Sequence, residues 1–348
     1  MKTNTAIISI LLLTIVNGHP NCEYKDKIRR WVICTHEEYD EANGNYVLPK
    51  GVFSSIVEAY SISLSKCKIS DIDTRAFDNS SLLHRLTLSE NKLETLKAGV
   101  LDPVRNLKFL NLSHNHITDL PLDIFRLNSD LLVLDLNSNR LKTVYTVLFK
   151  PLTKLLDLHL AQNFINGKYL YPDTFQVNTR LKYLDFSGNK LSESPEFLFS
   201  SFEDCEHLDL SNILLTNIPR FVRLGKFKNL LRLLLNGNHI SKIDDIHTFN
   251  NFYELNLLQL NDNVIEYINE MAFRPLPFLS ELQLVGNRLM KISDTQFQYL
   301  PRLRTVYLSR NLLTNAIVNA FKHTSLVNLD ISHNKITYLE ENFCMKLN

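Results

Sequence analysis

The sequence predicts an α/β solenoid: a right-handed horseshoe of about twelve turns, with a parallel sheet on its concave face. Three observations carry that prediction. A frame recurs along the chain, clearest in Leu107-Lys-Phe-Leu110-Asn-Leu112-Ser-His-Asn115-His-Ile117, with apolar residues at the first, fourth, sixth and eleventh places and an asparagine at the ninth. The ninth places fall at Cys67, Asn91, Asn115, Asn139, Asn163, Asn189, Ile213, Asn238, Asn263, Asn287, Asn311 and Asn334, spaced by 23 to 26 residues. Within each frame the apolar pair, such as Leu110 and Leu112 or Leu134 and Leu136, has period 2, the mark of a short strand with one buried face.

Each element of the turn has its own reason. Strands repeated at a fixed interval stack in parallel, and parallel neighbours require a crossover. The second half of each copy supplies it, irregular or helical, with an inward apolar residue soon after the ninth place (Leu120, Val144, Ile268, Ile292). A phenylalanine follows about ten places on, at Phe77, Phe125, Phe149, Phe175, Phe199, Phe249, Phe273, Phe297, Phe321 and Phe343, and predicts an aromatic spine under the convex side. The ninth-place asparagine sits where strand becomes crossover and backbone groups point inward; a carboxamide both donates and accepts, so stacked copies predict a ladder. Cys67 is a small buried substitute. Ile213 satisfies nothing, Asn212 one place early is an imperfect replacement, and an irregularity is expected near residues 211 to 216.

The frame L-x-x-L-x-L-x-x-N-x-L resembles the leucine-rich repeat, over residues 59 to 348. Short-capped arrays of this kind resemble secreted insect leucine-rich immune proteins, Toll-type receptor ectodomains and matrix proteoglycans. The first resemblance implies humoral innate immunity and disulfide-linked complexes. The motif specifies fold and leaves function open.

Residues 1–18 read as a secretory signal peptide: Lys2 precedes an apolar run from Ile7 to Val16, too short for a membrane span. Residues 19–58 do not fit the frame and read as an N-terminal cap for the array of 59–348. Trp31–Cys34 reads as a strand, Asn43-Gly44 as a tight turn and Tyr46–Leu48 as the returning strand, with the acidic Glu37-Glu-Tyr39-Asp-Glu41 between them, either a solvated loop or a tyrosine-sulfation site. Five cysteines in an oxidising compartment leave at least one unpaired. Cys22 and Cys34 are expected to pair, Cys67 and Cys205 to be buried thiols, and Cys344, near the end, to be an intermolecular disulfide candidate. Asn79 and Asn111 head N-glycosylation sequons, the second on a strand where the frame itself generates the pattern. Repeat five carries two extra residues around Asn166–Pro172, read as an exposed loop whose tyrosines are either ordinary loop residues or contacts.

Outward-facing strand positions gather Asp135, Asp157, His159, Tyr183, Asp185, His207, Asp209 and Arg232 in adjacent repeats. Three readings stand: a common, merely solvated filling of the motif; an acidic patch for a basic partner; or a metal site, for which a flat sheet closes too few ligands. Outward apolar residues flank the cluster, Phe109 and Val133 before it and Leu234 and Leu257 after it, as at protein-binding surfaces.

A formal net charge of +1 on 348 residues argues against a nucleic-acid surface. No phosphate loop, nucleophile elbow or H-E-x-x-H occurs, so neither an enzyme nor a cofactor nor a metal is expected. The expected function is a secreted, extracellular module that binds a protein or glycoprotein through its concave face, with innate immunity as the process its resemblance implies. The alternative is a matrix or adhesion protein, or a truncated receptor ectodomain.

Overall fold

The computed structural model describes residues 21–26, 31–35, 46–54, 56–314 and 317–338. The expected signal peptide, the Asn43-Gly44 turn, the acidic loop at 37–41 and Cys344 all lie outside the described residues. The chain forms two compact units, Met1–Leu131 and Leu132–Asn348.

The first unit carries β1 (Asn21–Asp26), β2 (Trp31–Thr35), β3 (Tyr46–Leu48), β4 (Ser61–Ser63), β5 (Ile69–Ile72), β6 (Arg85–Thr87) and β7 (Phe109–Asn111). Strand β2 pairs in parallel with β4, β4 with β6 and β6 with β7, always in register through the central apolar residue: Val32, Ile62, Leu86, Leu110. Two expectations change at the N-terminal end. The antiparallel partner of β2 is β1, an upstream strand, with Cys22 opposite Cys34. Tyr46–Leu48 does not return along β2; it pairs in parallel with β5 in a separate two-stranded sheet. Leu48 and Ile72 are both buried there, so the apolar run serves the opposite side of the turn.

The second unit carries β8 (Val133–Asp135), α1 (Thr146–Phe149), β9 (Asp157–His159), β10 (Tyr183–Asp185), β11 (His207–Asp209), α2 (Arg220–Arg223), β12 (Arg232–Leu234), β13 (Lys242–Ile243), β14 (Leu257–Gln259), β15 (Tyr267–Ile268), β16 (Glu281–Gln283), β17 (Thr305–Tyr307) and β18 (Asn328–Asp330). Its main sheet is parallel from β8 through β18, and β13 pairs with β15 outside it. The crossovers are mostly turns, with α1 and α2 four residues each, so the fold is a parallel-sheet solenoid with little helix. Short strands suffice because every turn buries its core against its neighbours.

The phenylalanine spine is present. In the second unit Phe249, Phe273, Phe297 and Phe321 stack at centroid distances of 6.0, 6.2 and 5.0 Å. Repeat seven lacks a phenylalanine ten places after its ladder position; Phe221, eight places on, meets Phe199 edge-to-face at 5.5 Å, and Phe227 lies 6.0 Å from Phe199 and 5.4 Å from Phe252.

The asparagine ladder is also present. The Asn91 carboxamide accepts from the amides of Cys67 and Ile69 at 3.0 and 3.1 Å and donates to the Leu64 and Leu88 carbonyls at 2.8 and 2.9 Å. Asn263 repeats the pattern, accepting from Ile240 at 3.0 Å and donating to Leu235 and Leu260 at 2.9 and 3.1 Å. One regularity escaped the sequence. The residue before every ladder position has left-handed backbone, among them Lys66 (φ 61°), Gln162 (φ 54°), Gly188 (φ 71°), Asp262 (φ 51°) and Arg310 (φ 55°). The chain reverses here, and the turn imposes that conformation on whatever side chain is present.

The expected irregularity at Ile213 is found one residue on. Leu214 has φ of +66° and Lys68, after Cys67, has +53°; only these two tenth-place residues are left-handed, and both follow a ladder position without asparagine. Asn212 does not replace the missing carboxamide. It occupies the ordinary left-handed eighth place (φ 56°) and its side chain is exposed.

A candidate partner-binding face

The outward residues of β8 to β12 lie in two columns. Asp157 is in register with Tyr183, Tyr183 with His207, and His207 with Arg232. Beside them Asp135 pairs with His159, His159 with Asp185, and Asp185 with Asp209. The structure thus brings together all eight residues singled out from the sequence. Three rings form a row across these strands, with His159 and Tyr183 at 4.7 Å and Tyr183 and His207 at 6.0 Å between centroids.

The four carboxylates are not equivalent. One oxygen of Asp135, Asp185 and Asp209 accepts the backbone amide two residues ahead, that of Asn137 (3.0 Å), Ser187 (2.9 Å) and Ser211 (2.8 Å). These are Asx turns that close the strand end, and Asn111 and Asp330 do the same with Ser113 and Ser332 at 2.8 and 2.9 Å. Much of the Leu-Asp-Leu filling therefore serves the backbone, and Asp185 is only 9% exposed. Asp157, in the other column, caps nothing. Burial pushes its carboxyl above the usual carboxylate range, against the pull of His159 and His207. Burial also raises Asp209, whose bonds to Ser211 oppose the shift. Burial first, then the charges of Asp185 and Asp209, raises Tyr183. Burial, then the Arg232 guanidinium, holds the His207 imidazole below its ordinary value. Among the described residues no three His, Cys, Asp or Glu side chains converge on a metal-sized site.

Beyond Arg232 the face opens into a shallow cleft of about 760 Å³, lined among others by His207, Arg232, Leu257, Phe278, Glu281 and Arg304. The sequence reading missed an amide strip beside it. Asn236 donates to Gln259 and Asn261 to Gln283, both at 2.7 Å, while the carboxamide oxygens of Asn236 and Asn261 accept the amides of Asn261 and Val285, both at 2.9 Å. The signal was present as Asn-x-Asn at the seventh and ninth places of repeats eight and nine. Of the sequons, Asn79 is exposed, whereas Asn111 is half-buried and its carboxamide oxygen accepts the Ser113 hydroxyl at 2.7 Å.

Comparison with known proteins agrees with this geometry. The family model described as leucine rich repeat matches residues 58–117, 105–165, 228–289 and 277–336, and a second leucine rich repeat model matches 180–202. These matches cover more than half of the chain, and the chain belongs to the leucine-rich repeat family. Chicken (Gallus gallus) fibromodulin is 33% identical over 206 residues, covering 46% of this chain and 53% of that protein. Human (Homo sapiens) leucine-rich repeats and immunoglobulin-like domains protein 1 is 31% identical over 158 residues, covering 45% of this chain and 14% of that protein. The chain thus spans about half or less of the length of such relatives. Among solved structures, the Toll–Spatzle complex of Drosophila superposes with a TM-score of 0.75 at 23% identity, over 86% of this chain and 39% of that one. The LRIM1/APL1C complex superposes with a TM-score of 0.64 at 24% identity, over 83% of this chain and 55% of that one. At these identities the likeness is one of fold. No helix of the described residues is long and apolar enough to cross a membrane.

Proposed function

We propose that the chain is an extracellular binding module that takes a protein or glycoprotein partner on the exposed sheet face of β8 to β12, rather than an enzyme. The carrying observation is the ring row His159–Tyr183–His207 flanked by Asp157 and ended by Arg232. Half-buried rings held on adjacent strands lose little conformational freedom on binding, and mixed charge at their edge sets the orientation of a partner. The carboxylates favour a basic segment of that partner and disfavour a phosphate backbone. Fibromodulin among the relatives, and Toll and LRIM1 among the folds, support an extracellular setting, with either immune recognition or matrix binding as the process. Residues 1–18 as a signal peptide, 19–58 as a cap, a Cys22–Cys34 disulfide, glycans on Asn79 and Asn111 and an intermolecular bond through Cys344 belong to the same reading.

The test uses a covalent crosslinker on the protein in the fluid from which it is isolated, with the attached partner identified by mass spectrometry. Asp157→Arg with Arg232→Glu inverts the two open charges of the face. Loss of the crosslinked species at an unchanged melting temperature supports this face; undiminished crosslinking removes it.

A further inference from the structure

We propose that the lateral edge of repeats four to six is a second docking surface, for a protein whose apolar contact residues are bordered by carboxylates. Phe164, Tyr169, Tyr171 and Phe197 lie on this edge and are 59%, 57%, 59% and 54% exposed. They follow the ladder positions Asn163 and Asn189, so they project beside the sheet rather than from its face. Isolated exposed aromatics need no explanation, but three on repeat five and a fourth on repeat six are a concentration of the kind that marks an interaction site.

The backbone beneath the patch is fixed. The two extra residues of repeat five build a single 3-10 turn at Gly167–Tyr169, where the Asn166 carboxamide accepts the Lys168 amide at 3.0 Å. The Gly167 amide donates to the Lys190 carbonyl at 2.8 Å, and the Thr143 hydroxyl donates to the Tyr169 carbonyl at 3.2 Å, so the turn is tied on both sides. A side chain at Gly167 would place its Cβ 2.3 Å from the Ser194 hydroxyl and 2.8 Å from the Ser194 amide; glycine lets the turn press directly on its neighbour. Thr174 then clamps Tyr171 by two bonds, at 3.0 and 2.8 Å. Aromatics carried on a fixed backbone offer large contact area at low entropic cost.

Charge selects the partner. Arg140 and Lys190 hold the place of Phe164 in the turns before and after it, Lys168 precedes Tyr169, and all three are exposed. Among the described residues none of the three is in an ion pair, although other cations of this unit pair across turns, as Lys182 does with Glu206 (2.6 Å), Arg220 with Glu196 (3.1 Å) and Arg288 with Glu266 (3.4 Å). The carboxylates of the edge are largely committed: Glu196 to Arg220 and Asp173 to the Thr146 hydroxyl at 3.3 Å, leaving Glu193 open. An isologous dimer through this edge would set cations against cations. An acid-rimmed apolar surface satisfies both features at once.

The probe is a pair of synthetic peptides, acetyl-Glu-Phe-Glu-Glu-Leu-Phe-Glu-amide and its counterpart with lysine for every glutamate, titrated into the full chain by calorimetry. The acidic peptide should bind saturably and the lysine peptide should not. Lys168→Glu with Lys190→Glu, and separately Tyr169→Ser with Tyr171→Ser, should each weaken binding at least fivefold while the melting temperature stays put. Equal binding of both peptides, no saturable binding, or binding lost only with Asp157→Arg would overturn the proposal. So would sedimentation showing a dimer that dissociates with Tyr171→Ser, since the occupant would then be a second copy.

Discussion

Leu214 adopts left-handed backbone immediately after Ile213, the one ladder position of the second unit without an asparagine. In neighbouring turns an asparagine takes the amide of the preceding turn: Leu141 donates to Asn163 at 3.0 Å and Ile165 to Asn189 at 2.9 Å. Leu191 meets an isoleucine and has no such acceptor. The carbonyls of Phe186 and Leu210 each keep one carboxamide, from Asn189 at 2.9 Å and Asn238 at 3.0 Å. The junction of repeats six and seven is therefore weakened rather than broken. Ile213→Asn fits a slot already framed by ladder residues on both sides. It should return Leu214 to negative φ and raise stability by about 1 kcal/mol. Denaturant titration measures the change, and hydrogen exchange should slow at the Leu191 amide. A loss of stability would mean that apolar packing, not the carboxamide, sets this turn.

The converse substitution probes an intact rung. Asn263 is 5% exposed, accepts one amide and donates to three carbonyls, those of Leu235, Leu260 and Asn261. Asn263→Leu leaves the buried Ile240 amide without an acceptor, while the Leu235, Leu260 and Asn261 carbonyls keep donors in Asn238, Asn287 and the Gly237 amide; it should cost about 2 kcal/mol. A cost below about 1 kcal/mol would show that water reaches the ladder.

Much of this was legible in the sequence because repetition multiplies weak signals. One Asn at a ninth place means little; the same residue at Asn91, Asn163 and Asn263 fixes strand, turn and ladder together. The left-handed eighth place was hidden because only Gly188, Gly237 and Gly286 advertise it, while Lys66, Gln162 and Arg310 adopt it under constraint from the turn. The N-terminal strands were misjudged because β3 finds its partner after β4, a pairing that no local pattern shows. In the candidate face, the sequence placed all eight residues on neighbouring strands. It could not separate Asp157 from Asp185, because an Asx turn depends on where the carboxylate points, not on which residue is there.

That distinction is testable. Asp185→Ala removes the acceptor of the Ser187 amide at a nearly buried site and should lower stability by about 1 kcal/mol. Asp157→Ala removes no hydrogen bond and should leave stability within about 0.5 kcal/mol. Partner binding should follow Asp157 alone. Equal melting temperatures for the two variants would dissolve the division between supporting and recognising carboxylates.

The cysteines divide the same way. Burial pushes the Cys67 thiol up to about 11 and the Cys205 thiol up to about 12, and both are buried. Both should resist iodoacetamide in the native protein and react once it is denatured. Cys22 and Cys34 are register partners in the antiparallel pair of β1 and β2, and non-reducing peptide mapping should find them joined. Native labelling of Cys205 would show that repeat seven opens readily.

Acid should act on the face through Asp157 and Asp209. Burial raises both above the usual carboxylate range, so the folded chain holds their protons more tightly than the unfolded chain does. Their ionised forms therefore cost stability at neutral pH, and the cost fades as pH falls through the folded values toward about 4, the unfolded value. His207 acts in the opposite sense: burial lowers it, so stability is lost as pH drops below its unfolded value near about 6.5. Asp157→Asn isolates one contribution. It should raise the melting temperature by about 1 °C at neutral pH, with a difference that shrinks toward pH ~4, read by calorimetry across that range. A difference that grew on acidification would mean that Asp157 is held ionised by His159 and His207, and that attraction rather than burial governs the centre of the face.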